Sequence, residues 1–374
     1  MAFDELEDRI KELEDELKNT KVNKRTEGSV GLLKAKIAKL KKELEIKSSK
    51  STTGSGYAVK KEGDATVGLL GKPSVGKSTL LSKITNKESK IGAYEFTTLE
   101  VVPGLLNYKH TNLQILDLPG IIDKASDNRG FGKKVLSVVR SCDLVVFVID
   151  ARMAINDMNM LLHETKHSGI RINKSKPFIQ IKRKYKGGIS VPINQSYENI
   201  PYDIIKQTLH DNKIVNGEVL IHENNLTIED FLDAIYDNLV YTKGIICLNK
   251  IDMCSKEELK STIKKVKELY PSFPLYGISA EKDVNLEGFK EYIWRELGFI
   301  WVYLKEQKKE PDFEKPLVLK FNDNMRRVCE KIHKDFLDKF KFAKIKGKSV
   351  KFEWQQVGFE HIVEDQDIIE IYLK

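Results

Sequence analysis

Two series of apolar residues with helical spacing mark the first part of the chain. They are Leu6, Ile10, Leu13 and Leu17, then Leu33, Ile37, Leu40 and Leu44. Because neither predicted helix could hide its apolar stripe alone, residues 1–47 are expected to form two helices that fold back on each other. A short coiled coil or oligomerisation arm is the alternative. Residues 48–62 begin with a run rich in Ser, Thr and Gly, which predicts a flexible linker.

Short apolar strands that alternate with helical segments follow the linker. The candidate strands are Thr66–Leu70, Leu113–Asp117, Leu144–Asp150, Gly244–Asn249 and Leu275–Ser279. This order is typical of an α/β fold with a parallel-type sheet, in which ligands gather at the carboxyl ends of the strands. We expect this domain to occupy residues 63–168 and 242–298, with a helix at Leu286–Leu297.

Residues 169–241 interrupt the alternation of strands and helices. They contain the stretch Arg171–Lys186, which has seven basic residues and no acidic residue. Gly187 and Gly188 follow it and would let the backbone approach a partner closely. We interpret residues 169–241 as an inserted α/β subdomain.

The last segment, residues 299–374, predicts a small sheet packed on one helix. Apolar and polar positions alternate in Pro316–Phe321 and Ile368–Leu373, on either side of a predicted helix at Arg326–Phe340. The run Lys339–Phe352 holds six basic residues, no acid and three phenylalanines. This composition suits RNA, where phosphate attraction and base stacking act together. A sheet with aromatic residues inside and lysines outside explains it equally well.

A phosphate-binding loop follows the first candidate strand. The sequence Gly71-Lys-Pro-Ser-Val-Gly-Lys-Ser78 fits G-x-x-x-x-G-K-[ST], and a helical Thr79–Ile84 comes next. Glycines let backbone N–H groups converge on phosphate oxygens, Lys77 reaches the β and γ phosphates, and Ser78 offers its hydroxyl to Mg²⁺. The predicted nucleotide contacts here are Gly71, Pro73, Ser74, Val75, Gly76, Lys77, Ser78 and Thr79.

A second motif, Asn249-Lys250-Ile251-Asp252, predicts guanine rather than adenine. A carboxylate at Asp252 can accept two parallel hydrogen bonds from N1–H and the exocyclic amine of guanine, and adenine has no such donor pair. Asn249 would join the base-binding loop to the phosphate loop, and the stem of Lys250 would lie over the base. Backbone groups of Ser279 and Ala280 would serve the guanine carbonyl oxygen.

The third motif, Asp117-Leu-Pro-Gly120, ends the second candidate strand. Its carboxylate can hold Mg²⁺ through water, and the Gly120 N–H can meet the γ-phosphate. A threonine between the phosphate-binding loop and this third motif would complete the coordination of Mg²⁺. We choose Thr98, with Thr97 as the alternative. The metal set is then Ser78, Thr98 and Asp117, and the catalytic set is Lys77, Thr98 and Gly120.

Composition narrows the class of protein. The chain has 374 residues, 41% of them hydrophobic, which is enough for more than one packed core. No run approaches the ~20 apolar residues of a membrane span, and the acidic start does not resemble a secretory signal. We expect a cytoplasmic protein with no membrane partner. The net charge of +8 is too small to identify a partner by itself.

These motifs together resemble the developmentally regulated GTP-binding proteins, relatives of the Obg GTPases. The resemblance rests on the three motifs above and on Tyr94–Leu99, Gly130-Phe-Gly-Lys-Lys, Val135–Asp143 and Ser279-Ala280. It covers nearly the whole chain. It implies an N-terminal helical region, a GTPase (G) domain interrupted by a ribosomal-protein-like α/β insertion, and a C-terminal β-grasp domain called TGS. The resemblance also implies a protein that cycles between GTP and GDP while it acts on the ribosome, with tRNA or rRNA as a partner. A regulatory protein of the family is a further expected partner, and the chain is expected to be a monomer.

The residue after the third motif bears on the rate of hydrolysis. Many small GTPases have a water-orienting glutamine there, whereas this chain has Ile121. A hydrocarbon cannot orient water, so slow intrinsic hydrolysis is expected. The resemblance implies that K⁺ or a partner supplies the missing help, although Ser74 stands where potassium-dependent relatives have asparagine. The competing hypothesis is a nucleotide-stabilised scaffold that binds RNA or protein with little turnover.

Overall fold

A computed structural model describes residues 3–20, 63–85, 102–118, 138–167, 169–192, 202–222, 227–235 and 239–374, and residues 30, 33, 36, 37 and 40. The chain divides into two compact units. The first unit contains residues 1–56 and 162–242, and the second contains residues 57–161 and 243–374. None of the described helices has both the length and the apolar character needed to cross a bilayer.

The elements are numbered in chain order. The helices are α1 Phe3–Asn19, α2 Lys77–Ile84, α3 Ala154–His167, α4 Tyr202–Asp211, α5 Ile228–Ile235, α6 Lys256–Leu269, α7 Leu286–Glu296, α8 Met325–Ile332 and α9 Asp335–Lys339. The strands are β1 Ala65–Leu70, β2 Val102–Tyr108, β3 Thr111–Asp117, β4 Leu144–Asp150, β5 Ile170–Ile172, β6 Ile179–Arg183, β7 Ile189–Ser190, β8 Gly217–Ile221, β9 Val240–Asn249, β10 Leu275–Gly277, β11 Phe299–Lys305, β12 Leu317–Lys320, β13 Phe340–Lys346, β14 Gln355–Val357 and β15 Ile368–Leu373.

The larger sheet of the second unit has the strand order β10-β9-β4-β1-β3-β2. All pairs along it are parallel except β2 with β3. Every residue of β4 is buried, as expected for a strand covered on both faces. The register aligns Leu69 with Asp117 and Asp150 with Asn249, and because β1, β3, β4 and β9 are parallel, their carboxyl ends lie at the same edge of the sheet.

Strand β2 was missing from the sequence prediction, and it makes the sheet mixed rather than wholly parallel. It pairs antiparallel with β3 at the sheet edge. Pro103 and Gly104 lie inside it, and both residue types obscure a strand pattern because they are rare in central strands. A Cβ on Gly104 would meet the side chains of Leu81 and Thr85, so glycine allows α2 to pack closely there.

The C-terminal sheet has the order β12-β11-β15-β13-β14 and packs on α8. A sheet on one helix was predicted, but the predicted helix Arg326–Phe340 is wrong in its extent. Helix α8 ends at Ile332, His333 is extended, and a separate short helix α9 leads into β13. Phe340 starts β13 because its ring is buried against Phe359, with ring centroids 4.2 Å apart.

Two small cores are found among the described residues of the first unit. In one, Ile10 and Leu13 of α1 pack with Ile37, which confirms that the predicted N-terminal helices contact each other. In the other, sheet β6-β8-β7 packs on α4 and α5. Strand β5 pairs with Val240–Thr242, the start of β9. The side chains of Leu6 and Leu44 lie outside the described residues.

Candidate functional site

The loop between β1 and α2 wraps around the Lys77 side chain. The Lys77 ammonium donates hydrogen bonds to the carbonyl oxygens of Gly71 (3.0 Å) and Lys72 (2.9 Å), and the residue is only 7% exposed. A buried ammonium needs such partners because desolvation penalises its charge. The loop therefore holds a cation at the N-terminus of α2, where the helix field already favours anions.

Two residues of this loop have left-handed backbone conformations. Ser74 has φ 59° and Gly76 has φ 94°. At Gly76 a Cβ would come within 2.4 Å of the Asn249 amide nitrogen, so only glycine fits without a shift. Gly71 is similarly restricted, since a Cβ there would meet the Val148 carbonyl oxygen at 2.3 Å. Glycine at these two positions thus allows close packing around the loop.

Asn249 connects three segments at the end of β9. Its amide nitrogen donates to the Val75 carbonyl oxygen (2.8 Å), and its amide oxygen accepts from the Ala280 N–H (3.0 Å). The side chain is almost fully buried, as is Ser279 beside it. The expected connection between the phosphate loop and the base-binding loop is therefore present, and it also includes the Ser279-Ala280 segment.

Lys250 is held by groups that the sequence analysis did not identify. Its ammonium donates to the Ser74 carbonyl oxygen (2.7 Å) and lies 3.3 Å from an Asp150 carboxylate oxygen. Arg152 binds both oxygens of Asp150, and this pairing lowers the pKa of Asp150 well below its usual range. One feature of the sequence could have pointed to Asp150: it is a carboxylate at the end of the otherwise apolar strand β4.

A second ion pair that the sequence analysis did not identify also involves the phosphate loop. The Lys72 ammonium lies 2.6 Å from a carboxylate oxygen of Asp157, which is buried near the start of α3. Lys72 occupies a variable position of the loop motif, so the motif alone gives no reason to single it out. The ion pair therefore ties the loop to α3.

Ser78 and Asp117, two of the residues predicted to bind Mg²⁺, lie in contact with each other. The Ser78 hydroxyl donates to an Asp117 carboxylate oxygen at 2.5 Å. Burial raises the pKa of Asp117, while the Ser78 hydrogen bond and the Lys77 charge act in the opposite direction. Hydroxyl and carboxylate oxygens are ligands that Mg²⁺ accepts, so this pair fits the predicted metal shell. A bound Mg²⁺ would hold the β and γ phosphates against the loop.

Asp252 lies in the 3₁₀ turn Ile251–Met253, directly after Lys250. Lys250 has φ 62°, and the Ile251 N–H donates to the Ile278 carbonyl oxygen (3.2 Å), which fixes the turn beside the segment that leads to Ser279. The Asp252 carboxylate is exposed and can accept two hydrogen bonds from a planar donor pair.

The structure describes only some of the remaining predicted site residues. Pro73 and Val75 lie in the loop, and Thr79 lies in the first turn of α2. Thr97, Thr98, Gly120 and Ile121 lie outside the described residues.

Replacing Asn249 with alanine is expected to destabilise the second unit. The change leaves the Val75 carbonyl and the Ala280 N–H without their buried partner, which should lower the free energy of unfolding by about 2 kcal/mol or more. Urea unfolding followed by tryptophan fluorescence measures this, because Trp294, Trp301 and Trp354 all belong to that unit. The exposed Asn107→Ala is the matched control; equal effects of the two changes would contradict the prediction.

Three family models match the chain in succession. The model described as a 50S ribosome-binding GTPase matches residues 66–184. The model for the C-terminal region of that domain matches residues 186–299, and the TGS domain model matches residues 300–373.

Relatives match over nearly the full length. An uncharacterized GTP-binding protein of Methanocaldococcus jannaschii is 43% identical, over 99% of this chain and 93% of its own. Developmentally-regulated GTP-binding protein 2 of Mus musculus is 39% identical over 98% of this chain and 99% of its own. The Dictyostelium discoideum homolog of developmentally-regulated GTP-binding protein 1 is 40% identical over the same shares.

Among solved structures, Era in complex with MgGDPNP and nucleotides 1506–1542 of 16S ribosomal RNA has a TM-score of 0.36 at 18% identity, over 75% of this chain and 71% of its own. Since it is 39 to 43% identical to these relatives over nearly all of its length, the chain belongs to the developmentally regulated GTP-binding protein family and is a P-loop GTPase.

Proposed function

We propose that this GTPase hydrolyses GTP slowly by itself and acts as a nucleotide-dependent switch on the ribosome. The observation that carries the slow rate is Ile121, which replaces the water-orienting side chain after Asp117-Leu-Pro-Gly120. The hydrogen bonds of Lys77 within the phosphate loop and of Ser78 with Asp117 support the proposal that GTP binds there. These residues would therefore bind GTP, and a group other than residue 121 would have to activate the attacking water.

The proposed roles follow from the contacts at the strand ends. Lys77 would neutralise the β and γ phosphates, and Ser78 and Asp117 would hold Mg²⁺, with Thr98 completing its shell. Gly120 would donate its N–H to the γ-phosphate. Guanine would be read by Asp252, with Asn249, Lys250, Ser279 and Ala280 shaping its pocket. GTP and GDP would then differ in the contacts made by Thr98 and Gly120, which is the basis of the switch.

The missing activating group would come from outside the described site. A potassium ion beside the phosphate loop is one source of positive charge, with Ser74 as the nearest motif residue in place of asparagine. A regulatory protein that docks on the G domain is the other. In either case the monomer would turn over slowly in the cytoplasm until activated.

The C-terminal domain supports a ribosomal partner. In and after β13 the lysines at 341, 348 and 351 are exposed, and Phe352 is 65% exposed. Within β13 itself, Phe340 is in the core and Phe342 stacks on Tyr372. Strand alternation therefore explains these two rings, and the exposed lysines with Phe352 remain available for RNA. The family description, which names the 50S ribosome, points the same way.

Co-sedimentation with purified ribosomes tests this proposal. We expect association that is stronger with a non-hydrolysable GTP analogue than with GDP, because the γ-phosphate orders the switch contacts. Association should weaken as salt is raised, since phosphate contacts release counterions. Equal pelleting in both nucleotide states would contradict the switch.

A scaffold with little turnover is the second candidate, favoured by the hydrogen bonds that Lys77 and Asn249 donate to backbone carbonyl oxygens of the phosphate loop. Ribosome association that persists unchanged in a Lys77→Ala variant unable to hydrolyse GTP would favour the scaffold. Loss of the nucleotide dependence in that variant would favour the switch.

A further inference from the structure

A short loop of the first unit, residues 184–188, joins β6 to β7 across the start of β8. Asn216, which immediately precedes β8, holds both ends of the loop. Its backbone oxygen accepts from the Lys184 N–H (3.1 Å), and its side-chain oxygen accepts from the Gly188 N–H (2.8 Å). Gly217 adds a bond to the Gly188 carbonyl oxygen (3.0 Å). The loop is thus anchored at its base, and its tip projects from the sheet.

Tyr185 stands at the tip with its whole surface in solvent. Its relative exposure is 104%, the highest of the large apolar or aromatic residues that the structure describes as exposed. The neighbouring Ile181 and Ile189 pack against the subdomain core, so the ring of Tyr185 adds nothing to that core. An exposed ring on an anchored loop offers a flat apolar face at little entropic cost, because the backbone is already ordered.

The charges around Tyr185 have one dominant sign. Lys184 and Lys186 flank Tyr185 in the sequence, and Lys182 and Arg183 precede them. All four side chains are exposed. Among the described residues only Lys184 of this group forms an ion pair, at 3.0 Å from Glu218. Among the described residues, Lys182, Arg183 and Lys186 thus form no ion pair, although Lys182 lies opposite Glu218 in the register of β6 and β8.

The backbone after the tip is open. Gly187 and Gly188 have φ of 106° and 71°, and a Cβ at either position would meet nothing within 4 Å. Steric crowding within the protein therefore does not explain these glycines; the positive φ values do. An incoming chain could therefore approach these two positions closely on the side where a Cβ would lie.

We propose that the loop 184–188 binds unpaired RNA, with the Tyr185 ring stacked on a base and Lys182, Arg183 and Lys186 at the flanking phosphates. This rests on the proposed ribosomal function and assigns it a contact in the inserted subdomain. Unpaired bases present the flat faces that an isolated ring can stack on, whereas the bases of a duplex are already stacked. An acidic protein would match the charges, but it would leave the single exposed ring without a pocket.

The test uses the full chain and a fluorescently labelled poly(uridylate) oligonucleotide, with binding followed by anisotropy. Tyr185→Ala should weaken binding by between about 5-fold and about 100-fold, and Tyr185→Phe should retain it, because the ring rather than the hydroxyl stacks. Lys186→Ala should make the slope of log affinity against log salt shallower by about 0.7, whereas Lys206→Ala, an exposed lysine on α4, should not change it. Because Tyr185 is wholly exposed, its variants should fold normally.

Three results would overturn the inference: no binding of the oligonucleotide by the unaltered chain, equal affinity of Tyr185→Ala, or tighter binding of polyglutamate than of RNA. Ribosome co-sedimentation of the unaltered chain is measured in parallel. If it depends on nucleotide while Tyr185→Ala binds RNA normally, only the loop assignment fails. If the unaltered chain does not sediment with ribosomes in either nucleotide state, the proposed function fails whatever the oligonucleotide result.

Discussion

GTP hydrolysis by a Lys77→Ala variant is expected to fall by about 100- to 1,000-fold, the range seen when one preorganised donor to a developing charge is removed. The Lys77 ammonium is already fixed beside the phosphate loop by two backbone carbonyl oxygens, so it requires little reorganisation to meet a triphosphate. Water entering its place cannot supply a fixed positive charge. The measurement is phosphate release at saturating GTP and Mg²⁺, so that weaker binding is separated from a slower chemical step.

The control for this variant is Lys265→Ala, which removes an exposed lysine from α6 of the same unit. It should hydrolyse GTP at the unaltered rate. Because Lys77 also braces its own loop, the unfolding transition of Lys77→Ala must be compared with that of the parent chain. A folded Lys77→Ala protein with the parent's hydrolysis rate would show that the loop does not bind the reacting phosphates.

The phosphate and base motifs could be placed from sequence because each follows a strand whose apolar pattern is unambiguous. Strand β4 is seven residues long and fully buried, and it agrees with its predicted bounds. Such strands fix where their carboxyl ends lie, and adjacent parallel strands bring those ends together. This is why Asn249, distant in sequence from Val75, was expected near the phosphate loop and does bond to it.

The ion pairs that brace the loop could not be found in the same way. Asp150 and Arg152 are local in sequence, but their value to the site depends on Lys250 arriving from the neighbouring strand. Lys72 and Asp157 are paired only because α3 starts beside the loop. Sequence periodicity identifies buried faces and strand ends, and it carries no information about which of the many charged side chains will meet.

Edge strands and helix breaks were missed for a different reason. The pattern of β2 is interrupted by Pro103 and Gly104, which an edge strand tolerates because half of its backbone groups face away from the sheet. The apolar residues of α8 and α9 share one spacing, so the extended His333 between them leaves no mark in that spacing.

Replacing Asp252 with asparagine is expected to reverse the base preference. The carboxylate can accept from both N1–H and the exocyclic amine of guanine, and two hydrogen bonds to a charged group contribute about 3 kcal/mol or more together, which is about 100-fold or more in affinity. Asparagine keeps one acceptor and adds a donor that faces the guanine amine. Xanthine has a carbonyl oxygen at that position, so the variant should bind XDP more tightly than GDP. Competition between labelled GDP and XDP measures the change.

The matched control is Glu257→Gln, which neutralises another exposed carboxylate in the first turn of α6 and should leave the preference for GDP unchanged. Because Asp252 is exposed and lies in a turn held by the Ile251 backbone bond, its substitution should not alter folding. The variant's affinity for the phosphate end of the nucleotide should also persist, since Lys77 and Ser78 are untouched. A variant that still preferred GDP to XDP would therefore remove Asp252 from the base pocket while leaving the phosphate site in place.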